Sequence, residues 1–153
     1  MSIVEIAWGV GMLMGGTIMG LRQFKINKII LINTMHIILG LSFVFSGLLP
    51  VSGFVFFTVF TMAGGLAMAI FSGSFTVVLQ TLVDPSALGR VFSMHGSLTL
   101  LPAMIGLLAT GFIADNIGIG NAFVISGTGI GMVGLLSFFM PPVMRMVKDG
   151  IVK

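Results

Sequence analysis

In 153 residues the chain carries seven Lys and Arg, four Asp and Glu and no Cys, while 57% of its residues are hydrophobic and 7% charged. Ordinary soluble domains carry about 25% charged residues, so water is excluded as the solvent for most of this chain, and the lack of Cys excludes disulfides, thiolate chemistry and Cys-based metal sites. The positive surplus is not a nucleic-acid footprint, because it sits in short clusters at the ends of apolar runs, where lipid headgroups lie.

The first apolar run covers 3–21, interrupted only by Glu5 near its start, and ends at the basic stretch from Arg22 through Lys25 to Lys28. A second covers 29–49. Pro50 to Gly53 is an uncharged turn, after which 54–83 forms a longer third run, followed by Asp84-Pro85 and the loop to Arg90. The fourth covers 91–114. Asp115 to Gly118 reads as a hinge to the fifth, 119–140, and Pro141-Pro142 opens a tail, 141–153, with Arg145, Lys148 and Lys153. Each run reaches or approaches the roughly 20 residues that cross about 30 Å of hydrocarbon. Only helices and closed barrels satisfy the backbone in lipid, and these runs are continuous where barrel strands would alternate over about ten residues. The expected architecture is an all-α polytopic membrane bundle of five transmembrane helices in a single domain, 1–153.

Five crossings place Arg22, Lys25 and Lys28, then Arg90, then the C-terminal cluster on one side, with no Lys or Arg in the two opposite turns. The positive-inside rule makes that side the cytoplasm, with the C-terminus inside and the N-terminus outside a plasma membrane. Met1 to Glu5 contains no basic n-region, and the Gly-rich stretch up to Gly20 offers no small-residue cleavage site, so the start does not read as a secretory signal. The expectation is that Met1 lies inside a longer protein with helices upstream.

Lipid tails give no helix a hydrophobic reason to prefer another, so small residues mark the contact faces. Gly11 with Gly15, Gly16 with Gly20, and Gly127 with Gly131 lie four apart, and Gly65, Ala69 and Gly73 form a longer stripe. Pro102, in the middle of the fourth run, removes a backbone donor and strains the carbonyl near Leu98, which predicts a kink serving either as curvature or as a hinge.

An ionisable group inside a span is a functional candidate by default. His36 lies about 12 Å beyond Lys28 at 1.5 Å per residue, and Asn33 shares its helix face. The pair is either a polar patch facing a cavity, open to protons or substrate, or an interhelical hydrogen bond. Glu5 is either an intramembrane proton carrier or an interfacial carboxylate. His95 falls at the basic boundary, and Ser72, Ser74, Thr76 and Gln80 give the third run a polar inner end. Asp84-Pro85 reads as an N-cap followed by Pro at the first helical position, with Gly89 ending that short turn and Asp115 closing the fourth helix.

No span carries a nucleophile with its base, a metal-ligand cluster or a phosphate-cradling loop, so neither an enzyme nor a cofactor or metal is expected. Gly127 to Gly134 lacks the strand and acidic partner of a dinucleotide site and reads as packing. Thirteen Met and fourteen Phe supply soft apolar walls, suited to greasy substrates or simply to lipid.

The stretch from Gln80 to Ser93, centred on Asp84-Pro85-Ser86-Ala87-Leu88-Gly89-Arg90-Val91-Phe92, resembles the loop before the eleventh helix of major facilitator transporters, particularly macrolide-efflux-like drug exporters. Gly111-Phe112-Ile113-Ala114-Asp115-Asn116-Ile117-Gly118 is similar to the family's Gly-x-x-Ala-Asp-x-x-Gly junction before the last helix. Glu5 to Gly20, with the basic loop after it, is similar to the eighth helix. The loop from Gly16 to Lys28 departs from the family in lacking the Asp of its Gly-x-x-x-Asp-Arg-x-Gly pattern.

The resemblance implies that the five spans correspond to helices eight to twelve of a twelve-helix exporter that moves amphipathic or hydrophobic compounds outward by alternating access, against protons. It places Gly89 and Arg90 at a cytoplasmic gate and makes Glu5, Asn33 and His36 candidates for the substrate or proton pathway. It also implies a partner in the bilayer, the missing N-terminal half, without which the chain is not expected to transport. The other reading is a small non-transporting membrane protein that docks through its Gly faces as an assembly or regulatory subunit.

Overall fold

The computed structural model describes residues 2–21 and 26–140, the side chain of Val51 excepted; Arg22, Lys25 and the tail with Arg145, Lys148 and Lys153 lie outside the described residues. Five helices follow one another: α1 (Ile3–Leu21), α2 (Lys28–Leu48), α3 (Phe54–Leu82), α4 (Leu88–Ile117) and α5 (Ile119–Phe139), with a single 3-10 turn at Val51–Gly53 between α2 and α3. All five are long and apolar enough to cross a membrane, and no strand occurs among the described residues. The architecture is the expected all-α membrane bundle.

Local chemistry sets the helix ends. At the start of α1 the Ser2 Oγ accepts from the Val4 N–H at 3.3 Å, and a Glu5 carboxylate oxygen accepts from the Ser2 N–H at 2.9 Å. This is a capping box, the reciprocal arrangement that satisfies donors left unpaired at a helix start. Asn27 caps α2 with one bond, its Oδ1 accepting from the Ile29 N–H at 2.9 Å.

Asp84 caps a short turn ahead of α4, as its pairing with Pro85 predicts, but that turn runs straight into the helix. Its Oδ1 accepts from the Ser86 hydroxyl at 2.6 Å and the Ser86 N–H at 2.8 Å, building a turn over Pro85 to Ala87, and α4 follows at Leu88. Two boundary expectations are corrected. Gly89 lies inside the first turn of α4 and ends nothing. At the far end Asp115 and Asn116 remain helical, and the chain reverses at Gly118, the one described residue with positive φ, at φ 88° and ψ 151°. An L side chain reaches that region only under strain, so glycine, not the carboxylate, closes α4.

The packing is built on glycine. α1 and α3 run parallel: Gly11 lies against the Met62 carbonyl, Gly65 against the Trp8 carbonyl, and Gly73 against Met19. α2 runs antiparallel to α3, which pairs Phe45 with Phe60 and His36 with Phe71 at ring separations of 5.6 and 4.5 Å. On its other side α2 runs antiparallel to α5, where Gly40 meets Gly127 and Gly131, and Gly47 meets Gly120. Such approaches let backbones touch where lipid supplies no hydrophobic drive.

The expected stripes at Gly11 and Gly15, at Gly65, Ala69 and Gly73, and at Gly127 and Gly131 all shape these contacts, whereas Gly16 and Gly20 face away with nothing within 4 Å. α4 stands apart. It runs unbroken through Pro102, has no buried residue, and meets the rest near Thr110 and Ala114, which share a small cavity with Ala122 and Phe123, and at His95, whose ring lies 4.9 Å from that of Phe75.

Candidate functional site

Because α1, α3 and α5 begin at one end of the bundle and α2 finishes there, their terminal turns surround a common space. That end holds a cavity of about 390 Å³, within the range of small-molecule sites. Glu5 and Trp8 enter from α1, Ser42, Phe43 and Ser46 from α2, Phe57, Phe60 and Thr61 from α3, and Phe123 from α5.

The walls form a connected aromatic chain. Trp8 meets Phe43 edge-on at 6.4 Å, Phe43 meets Phe123 at 5.5 Å, and Phe123 meets Phe57 edge-on at 5.7 Å. Edge-to-face contacts at these separations fix ring orientation as well as burying area. Gly64 allows Trp8 this position, since a Cβ there would lie 3.1 Å from the indole. Two of the hydroxyls at the cavity are used locally, Ser42 donating to the Ile38 carbonyl at 2.9 Å and Thr61 to the Phe57 carbonyl at 2.8 Å.

The cavity has one charged lining residue, Glu5, which is exposed. The described Lys and Arg, Lys28 and Arg90, lie at the opposite end, at the starts of α2 and α4. The cavity end is therefore acidic, and Asp115 in the last turn of α4 adds to it.

The other sequence candidates do not join this site. His36 lies about 9 Å from Ser42 along α2 at 1.5 Å per residue. Its Nδ1 is 3.1 Å from the Ile32 carbonyl of its own helix, and its ring packs edge-on against Phe71. Asn33 shares that face, is 4% exposed, and its Nδ2 has no hydrogen-bond partner. Neither residue lines the aromatic cavity.

Arg90 is exposed. The polar residues of α3 scatter: Ser74 is fully buried and points its Oγ at Met19 Sδ, 3.9 Å away, while Thr76 bonds back to Ser72.

Sequence reasoning missed Trp8, Phe43, Phe57 and Phe123 as a group. The available signal was depth: each lies within about two turns of the same bundle end once helix directions alternate. Gly40 and Gly47 were also missed, because they are spaced by seven, not four; a heptad keeps one face as well.

A bundle of apolar helices with a cavity at one membrane end is a multi-pass membrane protein. Comparison with known proteins makes the class narrower. The chain is 42% identical over 127 residues, 83% of its length, to macrolide efflux protein A of Streptococcus pyogenes. It is 42% identical over 106 residues, 69% of its length, to macrolide efflux protein A of Enterococcus faecalis. It is 30% identical over 132 residues, 84% of its length, to an uncharacterized MFS-type transporter, YfiS, of Bacillus subtilis (strain 168).

These matches cover 31%, 33% and 31% of the relatives, so the chain spans about a third of the length of the curated relatives it matches. No family model matches the chain, and no solved structure gives a significant match. Over most of its length the chain is homologous to part of the macrolide efflux proteins and MFS-type transporters, as the resemblance at Gln80 to Ser93 and Gly111 to Gly118 implies.

Proposed function

We propose that this chain forms the C-terminal part, helices eight to twelve, of a secondary transporter of the major facilitator type that exports amphipathic or hydrophobic small molecules by alternating access coupled to proton antiport. The observation that carries the reading is the 42% identity to macrolide efflux protein A. The bundle supports it: α4 has no buried residue, as befits a helix whose neighbours belong to the remaining two thirds of the transporter. Repeats of such folds rock about a site near the membrane midplane.

In this reading the end with Lys28 and Arg90 faces the cytoplasm together with the C-terminus, the membrane is the cell membrane, and the aromatic cavity lies outward. Glu5 sits on the substrate path, and Asn33 and His36 serve the proton path in the inner half. Arg90 holds the inner gate through its five donors, which Lys does not match in geometry.

The test is flux in reconstituted vesicles. The chain alone should give no proton-coupled macrolide flux, and flux should appear when the remaining part of the Streptococcus pyogenes relative is supplied. Robust flux from the chain alone would refute the fragment reading. A chain that binds the complement yet never yields flux would favour an assembly or regulatory subunit. In the complemented protein Arg90→Lys should insert normally and transport far less; wild-type flux would leave Arg90 only a topology signal.

A further inference from the structure

α4 is fastened to the bundle at two places that differ in kind. Its last turns lead into Gly118 and lie near α5, where Thr110 and Ala114 share a small cavity with Ala122 and Phe123. Near its start, Met94, His95 and Leu98 meet Leu79 of α3 across an apolar trough, and the His95 ring lies 4.9 Å from the Phe75 ring at an interplanar angle of 39°. Phe75 is itself held in place. It stacks on Phe71 at 6.0 Å, and the edge-on contact of His36 with Phe71 at 4.5 Å completes a row of four rings running from α2 through α3 to α4. A histidine stands at each end of that row. Among the described residues these two are the side chains of the type that ordinarily changes charge between about pH 5.5 and about pH 8.

We infer that the contact of His95 with Phe75 is a pH-sensitive latch: protonation of His95 draws the start of α4 onto α3, and loss of the proton frees α4 to swing about the Gly118 turn. An imidazolium is attracted to a ring face within about 6 Å of its centroid, whereas neutral imidazole keeps only the packing; at an exposed position the charge changes the ratio of docked to free helix by about two- to fivefold. The latch therefore tightens as pH falls and loosens as pH rises. The side chains that face His95 do not compete for this role. α3 presents Phe75 and Leu79, and α4 itself presents Val91, Met94 and Leu98, none of which titrates. Arg90 lies five residues earlier on α4, and Lys28 begins α2 at the same end. Asp84, in the turn before α4, is held below the usual carboxylate range by Ser86 and so keeps its charge throughout. At the other end of the row His36 meets Phe71 of α3 and Gly134 of α5, neither of which titrates. The latch goes beyond the transport reading and rests on no part of it.

The full chain, which has no native Cys, would carry nitroxide labels on cysteines at Gly20 and Ser97 in lipid nanodiscs. Both positions are exposed, and nothing lies within 4 Å of a Cβ added at Gly20. Double electron–electron resonance then measures the separation between the end of α1 and the start of α4. Two separations are expected, their ratio shifting about two- to fivefold towards the docked one as the sample is taken from about pH 8 to about pH 5.5.

His95→Arg supplies a permanent cation that stacks on ring faces, so it should give the low-pH ratio at both values and thereby mark the docked separation. His95→Gln should give the high-pH ratio at both. Phe75→Leu removes the ring while leaving His95, and should abolish the response; His36→Gln, which alters only the far end of the row, should retain it. Far-UV circular dichroism should be unchanged in the His95 variants, since that side chain is exposed. A distribution that does not change with pH, or a response that survives His95→Gln or Phe75→Leu, would overturn the latch. Flux is not measured, so either outcome leaves the transport reading as it stands.

Discussion

Gly127 sits in the close contact between α2 and α5, and a methyl group there has no space. A Cβ would lie 2.6 Å from the Gly40 carbonyl oxygen, 2.7 Å from the Val44 nitrogen and 2.8 Å from the Phe43 Cβ; ordinary contact starts at 3.4 Å, a deficit of about 0.8 Å. Two of these obstacles are backbone atoms of α2, so no rotamer change relieves them and the helices must separate. Overpacking costs about 1–3 kcal/mol, and Gly→Ala returns up to about 1 kcal/mol of helix propensity. With three atoms struck together the overpacking lies towards the upper end, and Gly127→Ala should destabilise by roughly 1–2 kcal/mol. Gly129→Ala on the same helix is the control: nothing lies within 4 Å of its added Cβ, so it should be neutral or slightly stabilising. Unfolding in mixed micelles, followed by far-UV circular dichroism with increasing anionic detergent, measures both. The reasoning is refuted if the two variants are equally stable, because the α2–α5 contact would then not depend on backbone approach.

Gly118→Ala should cost about 1–3 kcal/mol in the same assay, since Gly118 has φ 88° and ψ 151°; an unchanged transition would show that the α4–α5 turn adopts another conformation. Asp84 is held below its usual 3.8 by the Ser86 hydroxyl and then by the Ser86 backbone N–H. A lowered folded value means that this turn's stabilisation is present above about 3.8 and is lost as pH falls through the folded value. Carboxyl ¹³C NMR should find the Asp84 midpoint raised in Ser86→Ala, and an unmoved midpoint would discard the hydroxyl as cause. In the chain, which has no native Cys, cysteines at Ser52 and Asn116 should react with an impermeant thiol reagent from outside, and one at Ser86 should not. Labelling of Ser86→Cys alone would reverse the proposed orientation.

Particular residues show where sequence reasoning holds and where it stops. The spacing of Gly11 and Gly15 is that of Gly16 and Gly20, yet the first pair lies against α3 and the second faces away. Spacing determines that two residues share a face, but not what that face meets. Asp115 looks like a helix end because polarity changes there, whereas the helix continues to Gly118; helix termination is a matter of backbone dihedrals, to which hydropathy is blind. Asn33 and His36 do share a face as their spacing requires, but their neighbours come from other helices, and those neighbours decide that His36 packs on Phe71.

The number of spans, their helical nature and their alternating direction were determined by sequence alone, because a segment in lipid must satisfy its own backbone hydrogen bonds and so behaves locally. Direction in turn sets depth, which puts Glu5, Trp8, Phe43, Phe57 and Phe123 near the same end of the bundle. Only the tertiary structure decided that these side chains converge on one cavity. The rotation of each helix about its axis is set by which glycine faces allow backbones to touch, Gly11 and Gly65 between α1 and α3, Gly40 and Gly127 between α2 and α5. Those contacts join residues far apart in the chain, and van der Waals fit between two surfaces is a property of neither segment by itself.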